Sequence, residues 1–342
     1  MSAKFQLSIA VPVRNEETVL PELLRRTCAV LDGIAGGPHQ LLFVDDGSSD
    51  GTLELLEEAA RRDPRVVVIS LSRNFGHQAA LTAALDYVSG DAVVLMDGDL
   101  QDVPEAIPGF VKRYEEGWDV VYATRASRKE GWYLRLCYFL FYRLQALLSE
   151  TRLPLDAGDF GLMSRRVVEL LRRMPEHQRY LRGLRSWVGF RQVGVPVERA
   201  ERRSGRSKYG VLKLLKLASD GVFAFSIVPL RAAALLGALA IGLSALFAFY
   251  SLIAKVILHQ SPRGFTALVF LVTFLSGVLL LFLGIIGEYV GRIYEEIKAR
   301  PLYVVNEIID YAPARTMEQD VKRADRRRER KDKGNQIVKS EL

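Results

Sequence analysis

Apolar runs a few residues long, each ending in a polar turn, recur through the first hundred residues. Residues 5–13 alternate and then run apolar, which predicts a first strand with Pro12 at its end, where a missing N–H is tolerated. Leu20, Leu23, Leu24, Val30 and Leu31 keep helical spacing, with Asn15 placed to cap that helix and Glu16 and Glu17 in its first turn. Gly36-Gly37-Pro38 then breaks the chain before a second strand over 41–44. Val66–Leu71 reads as the third strand, residues 76–87 as a helix, and residues 91–96 as the fourth strand. A β-α-β-α-β-α-β alternation with short connections predicts an α/β fold, a mostly parallel sheet covered by helices.

The pattern changes in the second half. Residues 132–148 crowd aromatics and leucines around Arg135 and Arg143, and residues 211–228 mix leucines with Lys213 and Lys216. Both suit amphipathic helices lying in a headgroup layer, with an ordinary core helix as the plainer alternative. Residues 232–254 and 265–287 are each 23 residues without a charge. As helices each measures about 34 Å, enough to cross a hydrocarbon core of about 30 Å. Ten residues, 255–264, separate them, which predicts a transmembrane hairpin with both chain ends on one side. Lys213, Lys216, Arg231, Arg292, Lys298 and Arg300 flank the outer ends against Lys255 and Arg263 in the loop, so the termini are expected in the cytoplasm. Four segments follow: a core over 1–130, the remainder of a catalytic unit over 131–230, two spans within 231–290, and a basic cytoplasmic tail over 291–342.

Composition adjusts this picture in three ways. The chain of 342 residues is 49% hydrophobic and 25% charged, an average that hides a soluble front and an apolar back. Its net charge of +7 admits nucleic acid or an anionic membrane, and the clustering of that excess near the apolar segments and in the arginine-rich run 322–333 favours the membrane. Cys28 and Cys137 form neither a metal spacing nor a disulfide framework, and residues 1–6 lack the apolar core of a signal peptide.

The chemistry collects at strand ends. Val93-Val94-Leu95-Met96 runs into Asp97-Gly98-Asp99-Leu100-Gln101-Asp102, and strand two runs into Asp45-Asp46-Gly47-Ser48. Ligands of open α/β sheets sit at the carboxyl ends of strands. Paired carboxylates there suit a hard divalent cation shared with substrate phosphates, with Gly98 permitting an unusual backbone angle between them. No Gly-x-Gly-x-x-Gly and no Walker loop is present, which removes weight from dinucleotide binding and P-loop hydrolysis.

Taken together, Ala10-Val11-Pro12-Val13-Arg14-Asn15-Glu16-Glu17, Val44-Asp45-Asp46-Gly47-Ser48-Ser49-Asp50-Gly51-Thr52, Arg73-Asn74-Phe75-Gly76-His77-Gln78 and Asp97-Gly98-Asp99-Leu100-Gln101-Asp102 resemble the successive motifs of a family 2 glycosyltransferase with the GT-A fold. The resemblance continues through Gly158-Asp159-Phe160 and Gly205-Arg206-Ser207-Lys208-Tyr209, and points to the polyprenyl-phosphate group that includes bactoprenol glucosyltransferases and dolichol-phosphate mannosyltransferases. It implies that Pro12, Asn15 and Glu16 line a nucleotide pocket and that Asp45 and Asp46 contact base and ribose. Asp97 and Asp99 would hold Mg²⁺ or Mn²⁺, with Asp97 and Gln101 at the sugar diphosphate. Asp159 is the implied catalytic carboxylate, with Asp156 second to it. Arg202, Arg203, Arg206, Ser207, Lys208 and Tyr209 would grip the acceptor phosphate, and Arg199 belongs to the same basic run. His77 is read as a capping or packing residue. Where this subgroup usually has Ala, this chain has Gly98, which should loosen the turn.

The implied activity is inverting transfer of a hexose, glucose from UDP-glucose in first place, onto undecaprenyl or another polyprenyl phosphate at the cytoplasmic face of the plasma (inner) membrane. A dolichol-phosphate-mannose-type or modified-sugar transferase is the alternative. A processive synthase ranks lower because Gln178-Arg179-Tyr180-Leu181-Arg182 departs from the Gln-x-x-Arg-Trp motif, and a non-catalytic scaffold would be expected to lose its acids. Analogy extends to a homotetramer.

Overall fold

The computed structural model describes residues 4–125, 157–177, 179–198 and 264–312, with scattered positions between 230 and 253. The predicted interfacial helices 132–148 and 211–228, Asp156, Arg199 and the basic set from Arg202 to Tyr209, and the tail run 322–333 lie outside the described residues, as does most of the first predicted span.

Eight strands form one mixed sheet in the order β7-β5-β6-β4-β1-β2-β3-β8. The centre follows from the alternation in sequence: β1 (Leu7–Val13), β2 (Gln40–Asp45), β3 (Val66–Leu71) and β4 (Ala92–Leu95) are mutually parallel, in the order 4-1-2-3. Their side chains are almost wholly buried on both faces, as expected of parallel strands between helical layers. Helices α1 (Leu20–Asp32), α2 (Thr52–Arg62) and α4 (Ile107–Glu115) cover one face, where Leu20, Leu23, Leu56, Ile107 and Phe110 join the core. Helices α3 (His77–Tyr87), α5 (Arg165–Arg173) and α6 (Leu181–Trp187) cover the other, through residues such as Leu81, Leu85, Val168 and Leu184.

Three additions complete the sheet. β5 (Val120–Arg125) pairs parallel with β7 (Gln192–Val197), and β6 (Ala157–Ser164) inserts antiparallel between β5 and β4. The 34-residue helix α7 (Phe265–Lys298) precedes β8 (Val305–Ile309), which returns antiparallel along β3. Thus the sheet draws on chain that lies beyond the helix.

Among the described residues one helix, over Phe274–Lys298, is long and apolar enough to cross a membrane, and its apolar window is not buried in the protein. α7 also runs past the uncharged stretch that ends at Gly287, closing with the ion pairs Arg292–Glu288 (2.7 Å) and Lys298–Glu295 (2.9 Å).

Two local expectations are corrected. Asn15 does not cap α1, which begins at Leu20 with Pro21 in its first turn. The Asn15 backbone instead takes φ 54°, and its side-chain oxygen accepts from Ser49 N (2.8 Å), stitching the turn after β1 to the turn after β2. Gly98 is not among the positive-φ positions; Leu100, at φ 58°, carries that strain. Gly98 instead suits a tight space, because a Cβ there would meet Val13 Cγ1 at 2.7 Å and the Pro12 carbonyl oxygen at 3.0 Å and its neighbours would have to shift.

Candidate functional site

The carboxyl ends of β1, β2 and β4 lie side by side, and the predicted residues divide into two groups along them. At β1 and β2, the Val13–Asp45 register places Pro12, Asn15 and Glu16 against Asp45, Asp46 and the following turn. Ser48 Oγ accepts from Asn15 N (3.0 Å), Thr52 Oγ1 accepts from Glu16 N (2.9 Å), and the Glu17 carboxylate accepts from Gly51 N (3.1 Å). Asp45 accepts from Ser48 N at 3.2 Å, yet burial raises its pKa above the ordinary carboxyl value. Asp46 has a different occupation. Its buried carboxylate accepts from both Phe75 N (2.7 Å) and Gly76 N (2.9 Å), two charge-assisted bonds that fix the approach to α3. Gly76 takes φ 98°, a left-handed turn that favours glycine, and aims the first residue of α3, His77, at the end of β4.

At β4, the strand's period decides which acids meet. β4 and β6 run antiparallel with Leu95 opposite Gly161, so continuing the register by two residues sets Asp97 opposite Asp159. Val93 and Leu95 on β4 and Met163 on β6 face the α3 layer, so alternation sends Asp97 and Asp159 to that same side. His77 lies between the two carboxylates: its Nε2 is 3.5 Å from Asp97 Oδ1 and 3.8 Å from Asp159 Oδ2. Arg182, on the first turn of α6, completes the group with a two-pronged pair, Nε donating to Asp159 Oδ1 (2.8 Å) and Nη2 to Oδ2 (2.9 Å). One turn later Arg185 is buried, donates to the Gly158 carbonyl (3.1 Å) and stacks 5.4 Å over the Tyr122 ring. The Asp97–Asp102 turn is internally braced, with Asp97 N donating to Asp102 (3.3 Å) and Gln101 N to Asp99 (3.0 Å).

The electrostatics separate the two opposed acids. Burial, relieved in part by His77, pushes Asp97 up to about 6, and Asp102, Asp159 and Asp99 add like charge. Asp159 is more deeply buried, but the hydrogen bonds from His77 and Arg182 outweigh that cost and hold it well below the usual carboxylate range. Burial opposes a charged His77; the bond to Asp159 and the charge of Asp97 overcome it and raise its pKa. Burial lowers Arg185 to about 10. Asp159 is therefore a firmly ionised, weakly basic carboxylate.

Among the described residues no group of three or more His, Cys, Asp or Glu side chains is arranged to hold a metal by itself. The hard oxygen donors of Asp97 and Asp99 fit a divalent cation that completes its shell with substrate phosphate. The sequence reads His77 as a capping or packing residue and gives Arg182 no role, whereas both stand against the acids. The motif Arg73-Asn74-Phe75-Gly76-His77-Gln78 contained the first, but only the Asp46 tether and the turn at Gly76 aim it at the acids. Arg182 sat in a segment noticed for its departure from another motif.

The glycosyl transferase family 2 profile matches residues 8–172. The glycosyltransferase YkcC of Bacillus subtilis is 44% identical over 308 residues, covering 90% of this chain and 95% of its own. The chain belongs to glycosyltransferase family 2. It is accordingly a glycosyltransferase with a GT-A-type α/β fold. The glycosyltransferase sll0501 of Synechocystis is 40% identical over 311 residues, 90% of this chain and 98% of that one. The SfII prophage-derived bactoprenol glucosyl transferase of Shigella flexneri is 38% identical over 303 residues, 88% of this chain and 98% of that one. Among solved structures, mannosyl-3-phosphoglycerate synthase from Rubrobacter xylanophilus matches with 20% identity and a TM-score of 0.44, covering 64% of this chain and 72% of that one.

Proposed function

We propose that this family 2 enzyme transfers a hexose, glucose from UDP-glucose in the first instance, onto a polyprenyl phosphate such as undecaprenyl phosphate, inverting the anomeric carbon by a single displacement. The observation that carries this reading is Asp97 facing Asp159 at the end of β4, with His77 between them and Arg182 gripping the latter. The acceptor class is that named for the Shigella relative, alignable over nearly its whole length.

Pro12, Asn15, Glu16 and Asp45 line the nucleotide side in this scheme, Asp46 supports it through the α3 approach, and Gln101 with Asp97 faces the sugar diphosphate. Asp97 and Asp99 would hold the divalent cation, Mg²⁺ or Mn²⁺, which when bound offsets charge on the departing diphosphate. In the displacement, an acceptor phosphate oxygen bonds to the anomeric carbon while the bond from that carbon to the β-phosphate oxygen breaks, releasing the nucleoside diphosphate. A phosphate monoester with a second pKa of about 6 is already largely ionised at neutral pH, so no strong base is needed. That agrees with the weak basicity of Asp159, whose part is orientation. Arg202, Arg203, Arg206, Ser207, Lys208 and Tyr209 are assigned to the acceptor phosphate.

The setting proposed is the plasma membrane, with spans over 232–254 and 265–287, the catalytic unit and both termini in the cytoplasm, and assembly as a homo-oligomer. α7 supplies one helix of suitable length and composition. The test is a panel of radiolabelled nucleotide sugars offered to purified enzyme with undecaprenyl phosphate, alongside Asp99→Ala. Label should enter the lipid fraction from one or a few donors, and Asp99→Ala should reduce that incorporation at least roughly a hundredfold, as loss of a charge-stabilising group does. Incorporation from no donor would overturn the acceptor assignment; undiminished incorporation by Asp99→Ala would overturn the metal assignment.

A further inference from the structure

The last turn of α7 and the segment after it touch the connection into α6 and the end of α3, the two helices that carry the site's cations. In the last turn of α7, Glu296 Oε1 accepts from the backbone N–H of His177 at 2.7 Å. His177 lies in the connection from α5 to α6, four residues before α6 begins at Leu181, and Arg182 is the second residue of that helix. The same connection holds Arg179, whose guanidinium is buried and donates to the carbonyls of Leu171 and Met174. α7 ends at Lys298 and Ala299 follows in the left-handed region at φ 46°; beyond it the Tyr303 hydroxyl donates to Asp86 Oδ2 at 2.7 Å. Asp86 is in the last turn of α3, the helix whose first residue is His77. The Val304 carbonyl then accepts from Ser72 N (2.9 Å), and β8 joins the sheet. Finally, α3 and α6 are tied where they meet the site, Gln78 Oε1 accepting from Leu181 N at 3.2 Å.

We infer that Glu296 and Tyr303 are positioning residues: the end of α7 and the stretch after it hold the entry to α6 and the end of α3 so that Arg182 and His77 close on Asp159. Neither residue touches the acids. Glu296 acts through the His177 backbone, and Tyr303 acts through Asp86. Arg182 needs a defined helix origin to present both N–H groups to one carboxylate, since the two-pronged pair tolerates little rotation. The catalytic readout below rests on the glycosyltransferase reading of the site; the exchange readout does not.

The experiment uses full-length protein in lipid nanodiscs and the variants Glu296→Ala, Glu296→Gln and Tyr303→Phe. Hydrogen exchange should rise about fivefold across residues 177–185 in Glu296→Ala, the loss of one charge-assisted hydrogen bond, while β1 to β4 exchange as before. Glu296→Gln keeps a carbonyl acceptor and should restore most of the protection. Tyr303→Phe should raise exchange in the last turn of α3. With radiolabelled UDP-glucose and undecaprenyl phosphate, Glu296→Ala should lower kcat about fivefold at unchanged KM for the donor, and Glu296→Gln should recover it. Exchange over 177–185 unchanged in Glu296→Ala overturns the inference, and so does a rise spread evenly over the whole sheet. If the wild type transfers no sugar while the exchange pattern appears as described, the acceptor reading has failed and the positioning role stands.

Discussion

Replacing Arg182 by alanine removes both N–H groups from Asp159, a carboxylate that is 9% exposed, and leaves His77 at 3.8 Å beside it. Breaking a fully buried ion pair costs about 3–5 kcal/mol, because the surviving charge stays desolvated. The Arg182 side chain is 39% exposed, so solvent screens the pair and about 2 kcal/mol is the better figure. For a unit of this size that amounts to a fall in Tm of about 4–8 °C. If the same energy orients Asp159 in the transition state, kcat/KM falls roughly thirtyfold. Arg182→Lys keeps the charge without the two-pronged geometry, so it should fall between wild type and alanine. The decisive form is a double-mutant cycle with Asp159→Asn, read both by thermal unfolding in detergent and by label transferred to undecaprenyl phosphate. A coupling of about 1–2 kcal/mol is expected for residues in direct contact. Effects that add within about 0.5 kcal/mol, or an Arg182→Ala enzyme within about threefold of wild type, would refute the orienting role.

Asp46→Asn keeps one acceptor for the Phe75 and Gly76 amides but presents an NH₂ group to the other; it should cost about 1–3 kcal/mol and show as a lower Tm together with faster amide exchange at residues 75–78. Phe110→Ala, which removes a fully buried ring packed edge-on 4.9 Å from Phe160 and distant from the acids in role, should cost about 3–5 kcal/mol in chemical unfolding while donor KM stays constant. Because the folded-state pKa of Asp159 is depressed, its contribution to stability is fully present above the unfolded carboxyl value of about 3.9 and is lost as pH falls below it; an acid titration of Tm should therefore be shallower in Asp159→Asn than in wild type.

The parallel centre of the sheet was legible because its strands are buried on both faces and read as continuous apolar runs; Val66–Leu71 occurs as expected, and α3 begins one residue after the expected start. β6 escaped notice for an opposite reason. Its segment Ala157–Ser164 holds Gly158, Asp159 and Gly161 and looks like a loop, yet Gly161 is required because a Cβ there would meet the Val121 carbonyl oxygen at 2.5 Å. Close packing against β5 is a tertiary demand that local propensity does not carry. β8 is a short strand of five residues, and its place in the sheet depends on pairing along the edge of β3. The acids at strand ends were visible one strand at a time. Their opposition across β4 and β6, and therefore the contrasting environments of Asp97 and Asp159, depends on an antiparallel insertion that the alternating β-α pattern did not announce.

β8 also constrains where the site can sit relative to a bilayer. Val305 pairs with Leu71, the carboxyl-terminal residue of β3, so the chain leaving α7 enters the sheet at the same edge that bears Asp45 and Asp97. The charged part of α7, residues 288–298, spans about 16 Å as helix. The headgroup layer adds roughly 5–8 Å on each side of the hydrocarbon, so in the proposed setting the helix end stands about 10 Å clear of it. An upright helix would then set a rim that a phosphate resting among headgroups does not reach unaided. The segments that would close the distance are the ones read as interfacial, 132–148 and 211–228, together with the basic set from Arg202 to Tyr209 between them. In the proposed setting β8 and the Tyr303–Asp86 bond would fix the height of the acids, and the segments expected to be interfacial would be left to lift the acceptor to them.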